Sequence, residues 1–185
     1  MKEVIEKFNN MYENEDLFCP ASDEQISKLS NLFGNNVKKI IDFYRKYQPN
    51  NIPMLDSYVQ LLGIDKILLE NTTAEPGKYL AENGVYVFAL TVGGNLLCID
   101  TNDCKEDDAS ILIADCNFCS YNENYKCVEI GIVPDELMED MLKDGIVILN
   151  YPNIKKCLKK IESSFEVFMN KLSNGEYDDI EEYLE

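Results

Sequence analysis

The residues most suited to chemistry in this chain include four cysteines between positions 104 and 127. Cys116 and Cys119 have the two-residue spacing of metal ligands, with Cys104 upstream and Cys127 downstream. Four thiolates at such spacings can hold a structural zinc ion. A strong zinc signature contains two close cysteine pairs, whereas this sequence has one, so these four residues are weak metal candidates. We therefore expect no metal and no cofactor.

The cysteines as a group are expected to be reduced thiols. The chain contains 7 of them, an odd number, and its first residues carry no recognisable export signal. Both features disfavour a disulfide framework. A redox function for Cys116 and Cys119 is also disfavoured, because the pair does not open a helix after a strand.

Carboxylates are the second chemically notable group. The first cluster comprises Asp100, Asp103, Glu106, Asp107, Asp108 and Asp115; a second comprises Asp135, Glu136, Glu139 and Asp140; a third comprises Asp178, Asp179, Glu181, Glu182 and Glu185. The first lacks the Asp-x-Asp-x-Asp-Gly order of a calcium loop. Two interpretations remain open: a solvated acidic face, or a docking surface for a basic protein.

If a basic partner is bound, we place the contact at the first carboxylate cluster. We expect this cluster on a loop beside a rigid hairpin, and loops held by a rigid scaffold often carry binding residues. Tyr121 and Tyr125, in the following polar segment, would add aromatic anchors of the kind that dominate interfaces.

Enzymatic activity is not expected. The chain has 0 histidines, which removes the usual general base and the Ser-His and Cys-His nucleophile pairs. It also lacks a phosphate-binding Gly-x-x-x-x-Gly-Lys loop, a Gly-x-Ser-x-Gly elbow and a Gly-x-Gly-x-x-Gly turn. An enzyme would need to work with carboxylates or a cysteine alone.

The charge balance narrows the class of partner. The chain has 17 basic and 34 acidic residues, a formal net charge of −17. Such a surface repels nucleic acid and attracts basic proteins, although solubility alone is an equally good reason for it. No apolar run reaches the roughly 18 residues of a membrane span, so we expect a cytoplasmic protein that is not in a membrane.

The segment 84–100 predicts a central β-hairpin. Strand-forming residues flank Gly93 and Gly94, which favour a two-residue primed turn. Apolar residues occupy both alternating faces, so we expect a hairpin covered on each side and not a sheet edge.

The remaining patterns predict helices at both ends and strands between them. Helices are predicted over 4–12, 22–33, 37–47 and 134–144, and one continuous helix over 154–172; strands over 54–62, 111–114 and 127–133; a helix or a strand over 64–70; and a loop over 117–126. Ser22 and Gln25 have the spacing of a capping box. Residues 176–185 form an acidic tail in which Ile180, Tyr183 and Leu184 are candidate anchors.

The order of these elements resembles the SUKH superfamily, which includes the yeast Smi–Knr cell-wall regulators and many bacterial immunity proteins. The resemblance rests on paired N-terminal helices ahead of Ile-Asp-Phe-Tyr-Arg-Lys-Tyr at 41–47, on the hairpin at 85–100, and on Ser-Phe-Glu-Val-Phe-Met-Asn-Lys-Leu at 164–172. The chain departs from the family pattern at Asn35-Asn36 and Pro49-Asn50, and the predicted helix at 134–144 looks like an insertion.

The resemblance implies one α+β domain over 1–185, with a bent, mostly antiparallel sheet flanked by N-terminal and C-terminal helices and a core over about 22–172. It implies an antitoxin that binds and neutralises a toxin such as a nuclease or deaminase, which the charge suggests is basic. The alternative is a regulatory adaptor for a host protein or peptide, as in the yeast relatives. A toxin gene beside this one favours the first function, and its absence favours the second.

Overall fold

A five-stranded antiparallel sheet organises the chain. The computed structural model describes residues 1–12, 17–50, 58–135, 138 and 145–184. The strands are β1 (Phe18–Cys19), β2 (Gln48–Pro49), β3 (Val59–Leu61), β4 (Val85–Thr91), β5 (Leu96–Lys105), β6 (Asp108–Ala114), β7 (Cys119–Asn122), β8 (Cys127–Ile130) and β9 (Lys159–Glu162). The main sheet has the order β3-β4-β5-β6-β9, and β1-β2 and β7-β8 form two small sheets.

Helices surround this sheet. They are α1 (Lys2–Met11), α2 (Asp23–Phe33), α3 (Lys38–Tyr47), α4 (Ile64–Thr72), α5 (Gly77–Ala81), α6 (Tyr151–Cys157) and α7 (Phe165–Ser173), with a 3₁₀ turn at Ile180–Leu184. The three predicted N-terminal helices are confirmed, and α4 resolves the ambiguity at 64–70. The predicted capping box is present: Gln25 N donates to Ser22 Oγ at 3.2 Å and Ser22 N donates to Gln25 Oε1 at 3.1 Å.

The fold is α+β, as predicted, and the described residues share one hydrophobic core that runs from Val4 to Ile180. The predicted hairpin is central, since β4 and β5 both lie inside the sheet. Helices cover both of its faces. On one face the Phe88 ring lies 5.6 Å from the Phe165 ring of α7. On the other, the Val87 side chain approaches Gly77 of α5 so closely that an added Cβ would lie 3.1 Å from it.

The turn of this hairpin differs from the prediction. Thr91 N donates to Asn95 O at 2.9 Å and Gly94 N donates to Thr91 O at 3.0 Å, which closes a loop of three residues and not two. Gly94 has φ +83° and takes the left-handed position that such a loop requires. At Gly93 an added Cβ would meet the carboxylate of Glu181, so a larger residue there would displace the hydrogen bonds that this carboxylate accepts from the loop.

A β-bulge at Phe88 breaks the predicted alternation of β4. Val87 pairs with Cys98 and Ala89 pairs with Leu97, so Phe88 has no partner residue on β5. Asn71 of α4, which is buried, hydrogen-bonds both backbone groups of Val87: its Oδ1 accepts from Val87 N and its Nδ2 donates to Val87 O, both at 2.8 Å. One buried amide therefore satisfies both backbone groups of the residue next to the bulge.

We expect Asn71→Ala to lower the free energy of unfolding by about 2–3 kcal/mol, because it leaves a buried donor and a buried acceptor at Val87 unsatisfied. Urea unfolding of the purified chain measures this change. The matched control is Asn124→Ala, at an exposed position, with an expected change within about 0.5 kcal/mol. Equal effects of the two substitutions would contradict the role of Asn71.

The prediction of one continuous helix over 154–172 is wrong. The chain forms α6, then β9, then α7, and β9 pairs with β6 through Leu112 and Lys160. A helix in place of β9 would leave the edge groups of the buried strand β6 without hydrogen bonds. Ser164 Oγ accepts from Val167 N at 3.1 Å and caps a new helix. Apolar spacings of three and four residues did not reveal this break.

The tail packs against the central hairpin. Ile180 is fully buried, Leu184 packs against the core and the Tyr183 ring meets the Tyr177 ring at 6.3 Å, which confirms the predicted anchors. Glu181 Oε1 accepts from Gly93 N at 3.0 Å, from Asn95 Nδ2 at 2.8 Å and from Thr91 Oγ1. The hydrogen bond from Thr91 is the largest cause that holds the pKa of Glu181 below its ordinary value.

We expect Glu181→Gln to lower the stability at pH 7 by about 1 kcal/mol, a value reduced for partial solvation of the carboxylate. Because the folded-state pKa is lowered from 4.5, the contribution of Glu181 is complete above that pH and is lost as pH falls through the folded value. Unfolding curves from pH 7 to 3 should therefore converge for wild type and variant. Glu182→Gln is the control. A difference in stability between wild type and Glu181→Gln that stays constant from pH 7 to 3 would contradict a stabilising role for the Glu181 carboxylate.

The other sequence predictions lie partly outside the described residues. Strand β3 confirms the end of the strand predicted over 54–62, while 51–57 lie outside. The predicted helix over 134–144 also lies largely outside, as do Glu136, Glu139 and Asp140. Strand β8 is shorter than predicted and ends at Ile130.

Candidate interaction surface

The first carboxylate cluster lies on β5, β6 and their connections, and the prediction that it occupies a loop is wrong for three of its six members, Asp100, Asp103 and Asp108, which lie on strands. Two of its members are inside the fold: Asp100 and Asp108 are each only 3% exposed. Asp108 Oδ1 accepts from Phe165 N at 3.1 Å and Oδ2 accepts from Glu166 N at 3.2 Å. Its carboxylate therefore caps the N-terminus of α7, where free N–H groups favour a negative charge.

Asp100 has a comparable structural role. Its Oδ1 accepts from Asn102 N at 3.0 Å and its Oδ2 accepts from the Tyr151 hydroxyl at 2.9 Å. Burial and then this hydrogen bond raise the pKa of Tyr151. The pair fixes the start of α6 to β5, so Asp100 and Asp108 hold elements together and present no exposed carboxylate to a partner.

Asp103 and Asp107 are each paired with a lysine. Lys160 Nζ donates to Asp103 Oδ2 at 2.6 Å, and this contact is the main reason that the pKa of Asp103 is lowered. Lys38 Nζ lies 3.7 Å from Asp107 Oδ2. Part of the negative charge at this hairpin is therefore cancelled.

Glu106 and Asp107 form the tip between β5 and β6. Both have positive φ, +52° and +63°, which is the geometry of a two-residue primed turn. The sequence predicted a two-residue primed turn at Gly93-Gly94, but the structure has one at Glu106-Asp107, although neither residue is a glycine. Both side chains are exposed.

Tyr121 and Tyr125 belong to the β7-β8 hairpin, in the segment 117–126 for which the sequence predicted a loop. That prediction is wrong for β7, which pairs residue by residue with β8 from Cys119-Ile130 to Asn122-Cys127. The segment is polar because much of this strand faces solvent, so it lacks the apolar alternation of a half-buried strand. Tyr121 is 44% exposed and Tyr125 is 55% exposed.

This hairpin is held firmly at its base and at its turn. Phe118, Cys119 and Ile130 are buried in the core. At the turn, Asn122 Oδ1 accepts from Asn124 N at 3.0 Å and from Tyr125 N at 3.2 Å, which fixes the backbone that carries Tyr125. The two tyrosines are thus presented on an ordered support.

Three carboxylates lie on the hairpin or in the turn before it. Asp115 lies in the turn that leads into β7, Glu123 lies in the hairpin turn and Glu129 lies on β8. Within the described ranges none of the three carboxylates forms an ion pair. The basic residue in the stretch 115–130 is Lys126. We name the set Asp115, Tyr121, Glu123, Tyr125 and Glu129 the tyrosine hairpin.

The four candidate metal ligands are not gathered into one site. Cys104 lies towards the far end of β5, Cys116 is exposed in a turn, and Cys119 and Cys127 lie at opposite ends of the β7-β8 ladder. Among the residues that the structure describes, no group of three or more Cys, Asp or Glu side chains has the arrangement of a metal site. Burial raises the pKa of Cys104 to about 11 and that of Cys119 to about 12, so both are protonated thiols near neutral pH.

Comparisons with protein families, with curated proteins and with solved structures find no match for this chain. The resemblance to the SUKH superfamily therefore stays a prediction from the sequence motifs. No helix in the described ranges combines the length and apolarity needed to cross a bilayer.

We expect Asp108→Ala to destabilise the chain by about 2 kcal/mol, because it leaves the first N–H groups of α7 without an acceptor. Glu106→Ala, two residues earlier and exposed, should change the stability by less than about 0.5 kcal/mol. Thermal or urea unfolding of both variants measures the difference. Comparable stability of the two variants would show that the buried carboxylate does not cap the helix.

Proposed function

We propose that this chain is an immunity protein that binds a basic toxin and neutralises it by covering its active surface. The tyrosine hairpin is the docking site. The proposal combines a net charge of −17 with two exposed tyrosines on a fixed hairpin. The SUKH resemblance suggests the class of partner, and the charge suggests that the partner is basic.

The contrast between the two hairpins carries the choice of surface. At the β5-β6 hairpin, Asp103 and Asp107 form ion pairs with lysines of the same chain, which neutralise part of their negative charge. At the tyrosine hairpin the carboxylates have no such ion pairs within the described ranges. A basic partner can therefore supply the missing cations there and displace no internal lysine.

Binding would proceed in two physical stages. Long-range attraction between the acidic chain and a basic partner raises the rate of encounter. Tyr121 and Tyr125 then lose their exposed surface against the partner; each is a large side chain that orders few torsions and brings both an apolar ring and a hydroxyl. Neutralisation follows from steric exclusion and requires no chemical step.

The function is tested by protection in cells. Bacteria that express the toxin encoded beside this gene should stop growing without this chain and grow with it. A variant with Tyr121→Ala and Tyr125→Ala should lose protection, and Tyr58→Ala, which removes another exposed tyrosine, should keep it. If wild-type chain gives no protection but still binds a host protein, the adaptor function replaces the proposal.

We expect the association rate with that toxin to fall about tenfold or more between low salt and physiological salt. The combined change Glu123→Gln and Glu129→Gln should reduce the salt dependence, because it removes carboxylates at the docking site. Glu106→Gln, at the other hairpin, is the matched control and should leave it nearly unchanged. Stopped-flow or surface-based kinetics at several salt concentrations provide the measurement. An association rate independent of salt would contradict electrostatic docking.

We expect the double tyrosine variant to bind the toxin at least about thirtyfold more weakly than wild type, since two central anchors are lost. The change should appear mainly in the dissociation rate, because anchors act after encounter. Circular dichroism of the variant checks that the fold is intact. Unchanged affinity in a folded variant would exclude the tyrosines as anchors.

A further inference from the structure

The β7-β8 hairpin projects beyond the hydrophobic core. Cys119 and Ile130, the first pair of its ladder, are buried, whereas none of the residues 120–129, all of which the structure describes, is fully buried. The ladder continues to the pair Asn122-Cys127, about 10 Å further along the strands. The hairpin is therefore an arm whose outer part a partner can reach from more than one side.

The two faces of this arm differ in chemistry. Side chains alternate along a strand and paired residues share a face, so Tyr121 lies beside Val128 on one face and Ser120 lies beside Glu129 on the other. The first face carries no charged residue, and the second carries one carboxylate. We name them the aromatic face (Cys119, Tyr121, Val128 and Ile130) and the acidic face (Ser120, Asn122, Cys127 and Glu129).

The acidic face continues onto a third extended segment. Residues 147–149 lie beside β8, with backbone hydrogen bonds of 2.8 Å on either side of the bridge between Glu129 and Ile148. This pattern makes Glu129 and Ile148 a non-hydrogen-bonded pair, the kind in which the two side chains lie closest. Ile148 is 51% exposed. A carboxylate thus lies beside an exposed aliphatic side chain.

A lysine or arginine side chain fits this pair. Its aliphatic stem can cover Ile148 while its charged head reaches the carboxylate of Glu129. Glu129 forms no ion pair within the described ranges, so the cation displaces no internal lysine. The aromatic face suits a different contact, because the exposed ring of Tyr121 beside Val128 favours an apolar surface.

A flat partner surface can cover only one of these faces. The proposed docking site contains both Tyr121 and Glu129, whose side chains point in opposite directions. A partner that contacts both must therefore surround the arm. A second copy of this chain is disfavoured as the occupant, because it brings another net charge of −17 to the same carboxylates.

We propose that the β7-β8 hairpin inserts into a cleft of the basic partner, with an apolar wall against the aromatic face and lysine or arginine side chains against Glu129 and Ile148. This inference rests on the proposed function, because it specifies how the partner holds the tyrosine hairpin. The arm is ordered before binding: Gly131 N donates to Phe118 O at 2.9 Å at its base, and the Asn122 side chain fixes its turn. Insertion therefore costs little conformational entropy.

Methyl groups on the two faces report the docking mode directly. The probe is the toxin encoded beside this gene, inactivated, unlabelled and bound to the complete chain with labelled isoleucine and valine methyl groups. Saturation of the toxin protons should reach Val128 on the aromatic face and Ile148 on the acidic face. It should not reach Val92, which is exposed at the turn of the central hairpin. Transfer to only one of Val128 and Ile148 would overturn insertion, and transfer to neither would remove the hairpin from the interface.

Ser120 and Tyr121 are neighbours in the chain on opposite faces, which provides a matched pair of variants. Ser120→Trp adds bulk to the acidic face alone, and Tyr121→Ala removes the ring from the aromatic face alone. We expect each to weaken toxin binding at least about tenfold. Ser27→Trp and Tyr58→Ala, at exposed positions outside the arm, should leave the affinity unchanged. Full affinity of either arm variant, with circular dichroism showing an intact fold, would contradict contact on that face and overturn insertion.

These outcomes separate insertion of the arm from the immunity function. Protection in cells by the wild-type chain, together with saturation transfer to one face alone, keeps the function and rejects insertion. A wild-type chain that neither protects cells nor binds the toxin rejects both. Transfer between labelled and unlabelled copies of this chain through Val128 and Ile148, in the absence of toxin, would make the hairpin a contact between copies and would reject the cleft.

Discussion

Complete burial of β6 is the constraint on which the rest of the structure depends. All seven residues of Asp108–Ala114 are buried, so both faces and both edges of this strand need cover. Strand β5 covers one edge and β9 the other, which explains why the chain interrupts its C-terminal helical region to form a strand. Asp108 satisfies the start of α7 from the same strand. Immediately after β6, Phe118 enters the core and fixes the base of the tyrosine hairpin.

The same architecture divides the negative charge into two kinds. Carboxylates close to the buried strands are used structurally, as with Asp100 at Tyr151 and Asp108 at α7, or are paired with lysines, as with Asp103 at Lys160. The carboxylates of the tyrosine hairpin have no such internal ion pairs in the described ranges. A high net charge alone does not locate a docking surface; the local balance of acids and lysines does so, together with exposed aromatic rings on a rigid support.

Sequence reasoning was most successful where local signals and burial agree. The capping box at Ser22, the helices α1 to α3 and the two strands of the central hairpin were predictable, because periodicity and capping residues are local properties, whereas the three-residue turn and the bulge at Phe88 were not. It failed at 158–162, where apolar spacing fits a helix but the edge of β6 requires a strand. It also failed at Glu106-Asp107, where a primed turn forms without glycine, because the register of β5 and β6 determines the backbone there.

The candidate site could be predicted only in part. Tyr121 and Tyr125 were proposed from the sequence and lie exposed on an ordered hairpin, but Asp100 and Asp108 belong to the interior. Composition does not distinguish a buried helix cap from a solvated acid, since both are aspartates in an acidic stretch. Glu123 and Glu129 were not singled out, because each stands alone among uncharged residues and not in an acidic run; Glu123 lies between the two tyrosines in the sequence, and the β7-β8 pairing places Glu129 opposite Ser120.

Hydrogen–deuterium exchange of the complete chain, with and without its bound partner, is the most direct test of the docking site. Docking at the tyrosine hairpin predicts slower exchange in 118–130 on binding, with unchanged exchange at the Glu106-Asp107 tip. Slower exchange around the tip, with 118–130 unaffected, would contradict the assignment and would place the partner on the opposite hairpin.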